Sequence, residues 1–186
     1  GPVIGPVIGP DPTIRYHDVV YLIDRSGSMV DMFDVVRQEM LLSIAAMTPT
    51  DRLRVRFHVV LFADGKPIEK LPHAMTLATD GAKMGLVKFL EPVRAAGKTD
   101  PIPAINRAFD ALGTGSPGRL AVIHLLTDGV FPDNNAVLKT IRRRNGAGRI
   151  RINTILYGNR PPVAEEVMAR IAAENGGKYR FISRDE

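Results

Sequence analysis

The sequence predicts an α/β domain of three layers: an open, mostly parallel twisted sheet between two layers of helices, with one short antiparallel edge strand. Three observations carry this. Short β-branched runs alternate along the chain with segments whose apolar residues fall at helical spacing. The strand runs are apolar almost without a break, as strands covered on both faces must be. The length of 186 residues suits one domain, because two halves would each be too small to bury much core.

The chain begins with a repeat of Gly-Pro-Val-Ile from Gly1 to Pro10. Recurrent Pro prevents a helix, so residues 1–13 read as a linker or tail, with Val3, Ile4, Val7 and Ile8 as a possible apolar strap. Residues 14–186 read as the domain. His17 to Ile23 is the first buried strand and stops at Asp24. Phe33, Val36, Met40, Leu41, Ile44 and Met47 then mark a helix closed by Pro49. Leu53 to Phe62 is a strand whose first half alternates Arg52, Arg54 and Arg56 with apolar residues, a pattern that suits an exposed face.

A Pro-containing stretch near Ile68 to Met75 suits only an edge strand or loop. Thr79 to Val93 is helical and capped by Thr79 or Asp80. After the loop 95–100, Asp100 caps a helix that opens on Pro101 and runs to Leu112. Arg119 to Leu126 is the most apolar strand and ends at Thr127-Asp128-Gly129. A helix at Asp133 to Arg144, a strand at Ile150 to Tyr157, a helix at Pro162 to Glu174 and a strand at Lys178 to Ile182 complete the alternation.

Composition excludes several classes. There is no Cys, which removes disulfides, thiolate metal sites and Cys nucleophiles. No apolar run approaches the roughly 18 residues of a membrane span, so the chain reads as soluble, whether free or carried by an anchored parent. Net charge is +5, but with no Trp and 6% aromatics the platforms that stack single-stranded bases are missing, and no nucleic-acid partner is expected.

In open parallel sheets, ligands bind beyond the carboxyl ends of the strands, where strand order reverses. Two strands here end in Asp, at Asp24 and Asp128. The loop Asp24-Arg25-Ser26-Gly27-Ser28-Met29 adds two hydroxyls, and Thr99 adds another from a second loop. If the sheet forms as described, oxygen groups of Asp24, Ser26, Ser28, Thr99 and Asp128 converge without His or Cys. Such a set selects a hard cation, Mg²⁺ before Zn²⁺, with Mn²⁺ or Ca²⁺ as substitutes.

Asp24-x-Ser26-x-Ser28, then Thr99 in Gly-x-Thr-Asp, then Asp128 in Thr-Asp-Gly, resembles the metal-ion-dependent adhesion site of von Willebrand factor type A domains, bacterial members especially. The resemblance covers about Tyr16 to Ser183. It implies direct metal ligation by Ser26 and Ser28, mostly water-mediated ligation by Asp24 and Asp128, and either mode for Thr99. It also implies that a partner protein's Asp or Glu fills the remaining position. Hydroxyl ligands leave the ion's charge poorly neutralised, so it stays attractive to an incoming carboxylate. Arg25 beside the site departs in charge.

The function expected is therefore Mg²⁺-dependent protein binding, in adhesion or scaffolding, with an extracytoplasmic or membrane-anchored parent favoured over a cytoplasmic one. A regulatory subunit of a chelatase-like AAA+ ATPase is the alternative, and a Mg²⁺-dependent phosphohydrolase stands behind both. Enzyme readings are weakened by the absence of a phosphate loop, a dinucleotide turn and a Gly-x-Ser-x-Gly elbow. His17, His58, His73 and His124 share no metal spacing, and His124 reads as a hydrogen-bonded core residue. Arg142-Arg143-Arg144, near Arg149 and Arg151, reads as a solvated helix end favoured by the helix dipole.

Overall fold

The structure is a computed structural model that describes residues 14–114 and 118–185; the repeat assigned to residues 1–13 lies outside them. Its elements run β1 (Arg15–Asp24), a 3₁₀ turn (Gly27–Met29), α1 (Phe33–Ala45), β2 (Leu53–Phe62), β3 (Ile68–Glu69), β4 (Thr76–Leu77), α2 (Asp80–Leu90), α3 (Ile102–Leu112), β5 (Arg119–Thr127), α4 (Asn134–Arg144), β6 (Ile150–Gly158), α5 (Pro162–Glu174) and β7 (Tyr179–Ser183). The α/β alternation is as the sequence predicts. The edge comes in two pieces, because β3 and β4 are two-residue strands that both pair antiparallel with β2.

The sheet order is β3-β2-β1-β5-β6-β7, with β4 also against β2. The β1, β2, β5, β6 and β7 pairings are all parallel. From β1 the chain first adds β2 on one side, then returns to add β5 on the other. The order therefore reverses between β1 and β5, which opens the ligand position expected of such sheets at their carboxyl ends.

Side-chain alternation along β1 decides the layers. Val19, Tyr21 and Ile23 face a core shared with Phe33, Val36, Met40 and Ile44 of α1 and with Leu86 and Leu90 of α2. Val20 and Leu22 face the opposite core, built with α3, α4 and α5. Both sets are almost fully buried, which accounts for the unbroken apolar run.

At the amino end of the sheet, Asp18 is fully buried. It accepts two hydrogen bonds from the Arg56 guanidinium, at 2.7 Å each, and pairs with Arg119. Arg56 therefore does not belong to an exposed strand face, as its alternation with Val55 and Phe57 suggests; its fork neutralises a buried carboxylate on the neighbouring strand. The helix-end arginines are also engaged, Arg142 with Glu174 and Arg144 with Asp110. His124 is half-buried and stacks on Tyr21 at 5.2 Å between ring centroids, so a ring contact stands where a hydrogen bond was expected. The hydrogen-bonded buried histidine is His58, whose Nε2 lies 2.9 Å from Glu69 Oε1.

The α5–β7 turn packs directly on β6. A Cβ at Gly177 would sit 1.7 Å from the Ile152 carbonyl oxygen, whereas one at Gly176, with φ +64°, would meet nothing within 4 Å. Gly177→Ala is expected to cost more than about 2 kcal/mol by displacing backbone, and Gly176→Ala only about 1 kcal/mol of left-handed strain. Denaturant midpoints of the two variants check this; equal costs would contradict it.

Candidate functional site

The site is built on the carboxyl ends of the two central strands. Asp24 closes β1 and is fully buried. Its Oδ1 accepts the Ser26 N–H at 2.8 Å, a tight turn that bends the chain off the strand. Its Oδ2 accepts the Thr127 hydroxyl at 2.7 Å, across from the end of β5. Thr127 Oγ1 in turn accepts the Gly129 N–H at 3.0 Å. One carboxyl thus fixes two loops at once.

Beyond Asp24, Ser26 is buried and its Oγ lies 3.1 Å from Ser28 Oγ, which sits on an exposed residue. Asp128 is half-buried and its Oδ1 accepts the Val130 N–H at 3.2 Å. The loop bearing Thr99 is pinned from three directions. Ala96 N–H donates to Arg25 O, Gly27 N–H donates to Gly97 O, and Asp100 N–H donates to Ala63 O just past β2. Gly97 is required there: its φ is +84°, and a Cβ would lie 2.2 Å from Asp64 Oδ1. Asp100 Oδ1 accepts the Ile102 N–H at 3.2 Å, and α3 starts one residue later than the sequence suggests, with Pro101 and not Asp100 at its N-cap.

The five residues singled out in the sequence therefore stand on one edge of the sheet, in three loops. Asp24, Ser26 and Ser28 are linked by hydrogen bonds, and Asp128 is close enough to act on Asp24 electrostatically. Thr99 is placed beside them through its pinned loop; its hydroxyl makes no hydrogen bond among the described residues. Among those residues no three His, Cys, Asp or Glu side chains group to hold a metal, so hydroxyls are needed to complete any set here.

The electrostatics set this edge apart. Burial pushes the Asp24 carboxyl up from 3.8 to about 6; hydrogen bonds from Ser26 and Thr127 oppose the rise, and the nearby Asp128 adds to it. Neither Asp has a basic partner among the described residues. Arg25, next in sequence, turns its Nη1 to the Arg94 carbonyl at 3.3 Å instead. Asp18 shows the contrast, since the protein supplies it with two guanidiniums. A buried carboxylate beside a second acid, lined by neutral hydroxyls, has the oxygen chemistry that could hold a hard cation.

Thr127 is the functional residue that sequence reasoning passed over. It stands in the Thr-Asp-Gly motif, and a hydroxyl at the last position of an otherwise apolar strand was the available signal. Thr127→Val is expected to lower stability by about 1–3 kcal/mol, by stripping a donor from buried Asp24 and an acceptor from Gly129 N–H. Chemical denaturation would show it, and an unchanged midpoint would refute the role.

A pH dependence follows as well. A carboxyl whose folded pKa is raised to about 6 contributes stability that is full below its unfolded value and is lost as pH rises through about 6. Metal-free protein should therefore lose on the order of 3 kcal/mol from this group between about pH 4 and pH 7. In Asp24→Asn that component should vanish, so the stability difference between the two proteins should change with pH. A difference that stays flat would contradict the shift.

Residues 19–130 match the family model of the von Willebrand factor type A domain. No curated protein matches the sequence. Among solved structures, the conserved hypothetical protein BatB from Bacteroides thetaiotaomicron is 17% identical with a TM-score of 0.69, over 89% of this chain and 90% of that one. Proximal thread matrix protein 1 from the mussel byssus, with a zinc-occupied MIDAS motif, is 17% identical with a TM-score of 0.69, over 94% of this chain and 43% of that one. The pilus adhesin SpaC from Lactobacillus rhamnosus GG, in its open conformation, is 16% identical with a TM-score of 0.71, over 92% of this chain and 28% of that one. At these identities the likeness is one of fold.

Proposed function

The chain belongs to the von Willebrand factor type A domain family, and from that premise we propose that it is a protein-binding module with an intact adhesion site of bacterial type. Asp24, Ser26, Ser28, Thr99 and Asp128 would hold Mg²⁺, with Mn²⁺ or Ca²⁺ as substitutes. The observation that carries this is the fully buried Asp24 carboxyl, braced by Ser26 and Thr127 and left without a cation of the protein's own. A hard cation held by these residues would supply positive charge to which an Asp or Glu side chain of a partner protein could bind.

The chain's own residues do the positioning. Thr127 and the Ser26 N–H orient both carboxylate oxygens of Asp24, so the acid cannot swing to solvent. Gly27 lies against Gly97, and this keeps the serine loop next to the Thr99 loop. No Lys or His hydrogen-bonds to Asp24 or Asp128 among the described residues, which supports a binding rather than a catalytic role.

We take residues 14–186 as the domain and residues 1–13 as a linker or tail. We place the parent protein outside the cytoplasm or at a membrane surface, supported by the likeness to a pilus adhesin. No helix among the described residues is long and apolar enough to cross a membrane. Millimolar Mg²⁺ should raise the melting temperature and give a calorimetric binding isotherm. Asp24→Ala and Asp128→Ala should lose both. A wild-type protein that takes up no Mg²⁺ or Mn²⁺, or variants that gain as much as it does, would overturn the reading.

A further inference from the structure

We infer that the cavity between α1 and β7 binds a single-chain anionic amphiphile, a free medium-chain carboxylate, with its head at Lys178 and Arg180 and its chain along the sheet face. This cavity lies on the α1 face of the sheet, and the inference does not depend on a metal at the carboxyl edge.

The cavity has a volume of about 610 Å³, within the range of small-molecule sites. Strand register assembles its floor. Tyr21 of β1 stands opposite His124 of β5, Leu126 of β5 opposite Ile155 of β6, and Ile155 opposite Arg180 of β7. Side chains two residues apart on a strand share a face, so Tyr157 joins Ile155, and Lys178 joins Arg180. Arg180 is close enough to Tyr157 to act on it electrostatically. Met40 and Leu42 of α1 line the opposite wall, and Leu42 is 64% exposed.

The polar tips around this floor are already engaged. Tyr21 Oη lies 2.5 Å from Ser43 Oγ, and the Tyr157 hydroxyl donates to Glu39 Oε2 at 2.6 Å. Burial, with His17 adding to it, pushes the His124 imidazole down from 6.5 to about 4, so this ring is uncharged at neutral pH. The floor therefore presents ring and aliphatic surface. The β7 side differs, because Lys178 and Arg180 are exposed and make no ion pair among the described residues. Charge is thus divided across the cavity, with two cations on β7 and the Glu39 carboxylate on α1. An anionic head is attracted by the first and repelled by the second, which turns the chain of the ligand toward Met40 and Leu42. Each methylene laid on that surface leaves water.

Calorimetric titration with dodecanoate, octanoate and dodecyltrimethylammonium tests this, each below its micelle concentration and in EDTA so that no metal takes up the carboxylate. Dodecanoate is expected to bind at least about tenfold more tightly than octanoate, which buries fewer methylenes. It should also bind at least about tenfold more tightly than the ammonium of equal chain length. In the double variant Lys178→Glu, Arg180→Glu the two dodecyl ligands should exchange ranks. Both positions are exposed, so an unchanged melting temperature without ligand is expected. Amide resonances of Leu126, Ile155 and Met40 should shift with dodecanoate. The protein should not co-sediment with phosphatidylglycerol vesicles; co-sedimentation that the double variant abolishes would overturn a free ligand in favour of a bilayer. No binding of dodecanoate at millimolar concentration, equal affinity for the two dodecyl ligands, a rank order that survives in the double variant, or shifts confined to other parts of the domain would each overturn the site.

Discussion

The Asp24 carboxyl is the hinge on which this edge of the molecule depends. One of its oxygens bends the chain out of β1 through the Ser26 N–H, and the other takes the Thr127 hydroxyl from β5. These are the two strands between which the sheet order reverses, so a single acid ties together the strand ends at that point. Because the group is buried, its orientation is set by these donors and not by solvent. The serine loop and the Thr-Asp-Gly loop are then held in register with each other, and the Thr99 loop is fixed to the first through Gly27 and Gly97.

The same strand carries a second buried acid, and the comparison explains the difference in role. Asp18 and Asp24 both point to the α3–α5 side of β1, roughly 20 Å apart at the usual strand rise. Asp18 is enclosed by Arg56 and Arg119, and its negative charge is spent within the fold. Asp24 has only hydroxyls, a backbone N–H and a nearby acid around it, which leaves its pKa raised. Buried charges need compensation; Asp18 receives it from the chain, and under the proposed function Asp24 receives it from a ligand.

Much of this was legible in the sequence. The unbroken apolar runs fixed which segments are central strands, because only strands covered on both faces can be that uniform. The acids that end two of those runs point to the carboxyl edge. Harder to read were interactions whose partners lie on different strands. Arg56 looked like part of an exposed stripe, since alternation reports only which face a residue points to and not what faces it there. His124 gave no sign of Tyr21 beside it. Thr127 was visible as a motif residue, but its hydrogen bond to Asp24 spans 103 positions.

Periodicity and strand-end chemistry are local properties, so the layered fold, the order of its elements and the residue types that crowd one edge can all be read along the chain. Which of two buried acids is neutralised, and which hydroxyl braces the site, emerge only in the assembled fold. Those outcomes depend on strand register, which brings together groups far apart in the chain, and no local pattern records such contacts.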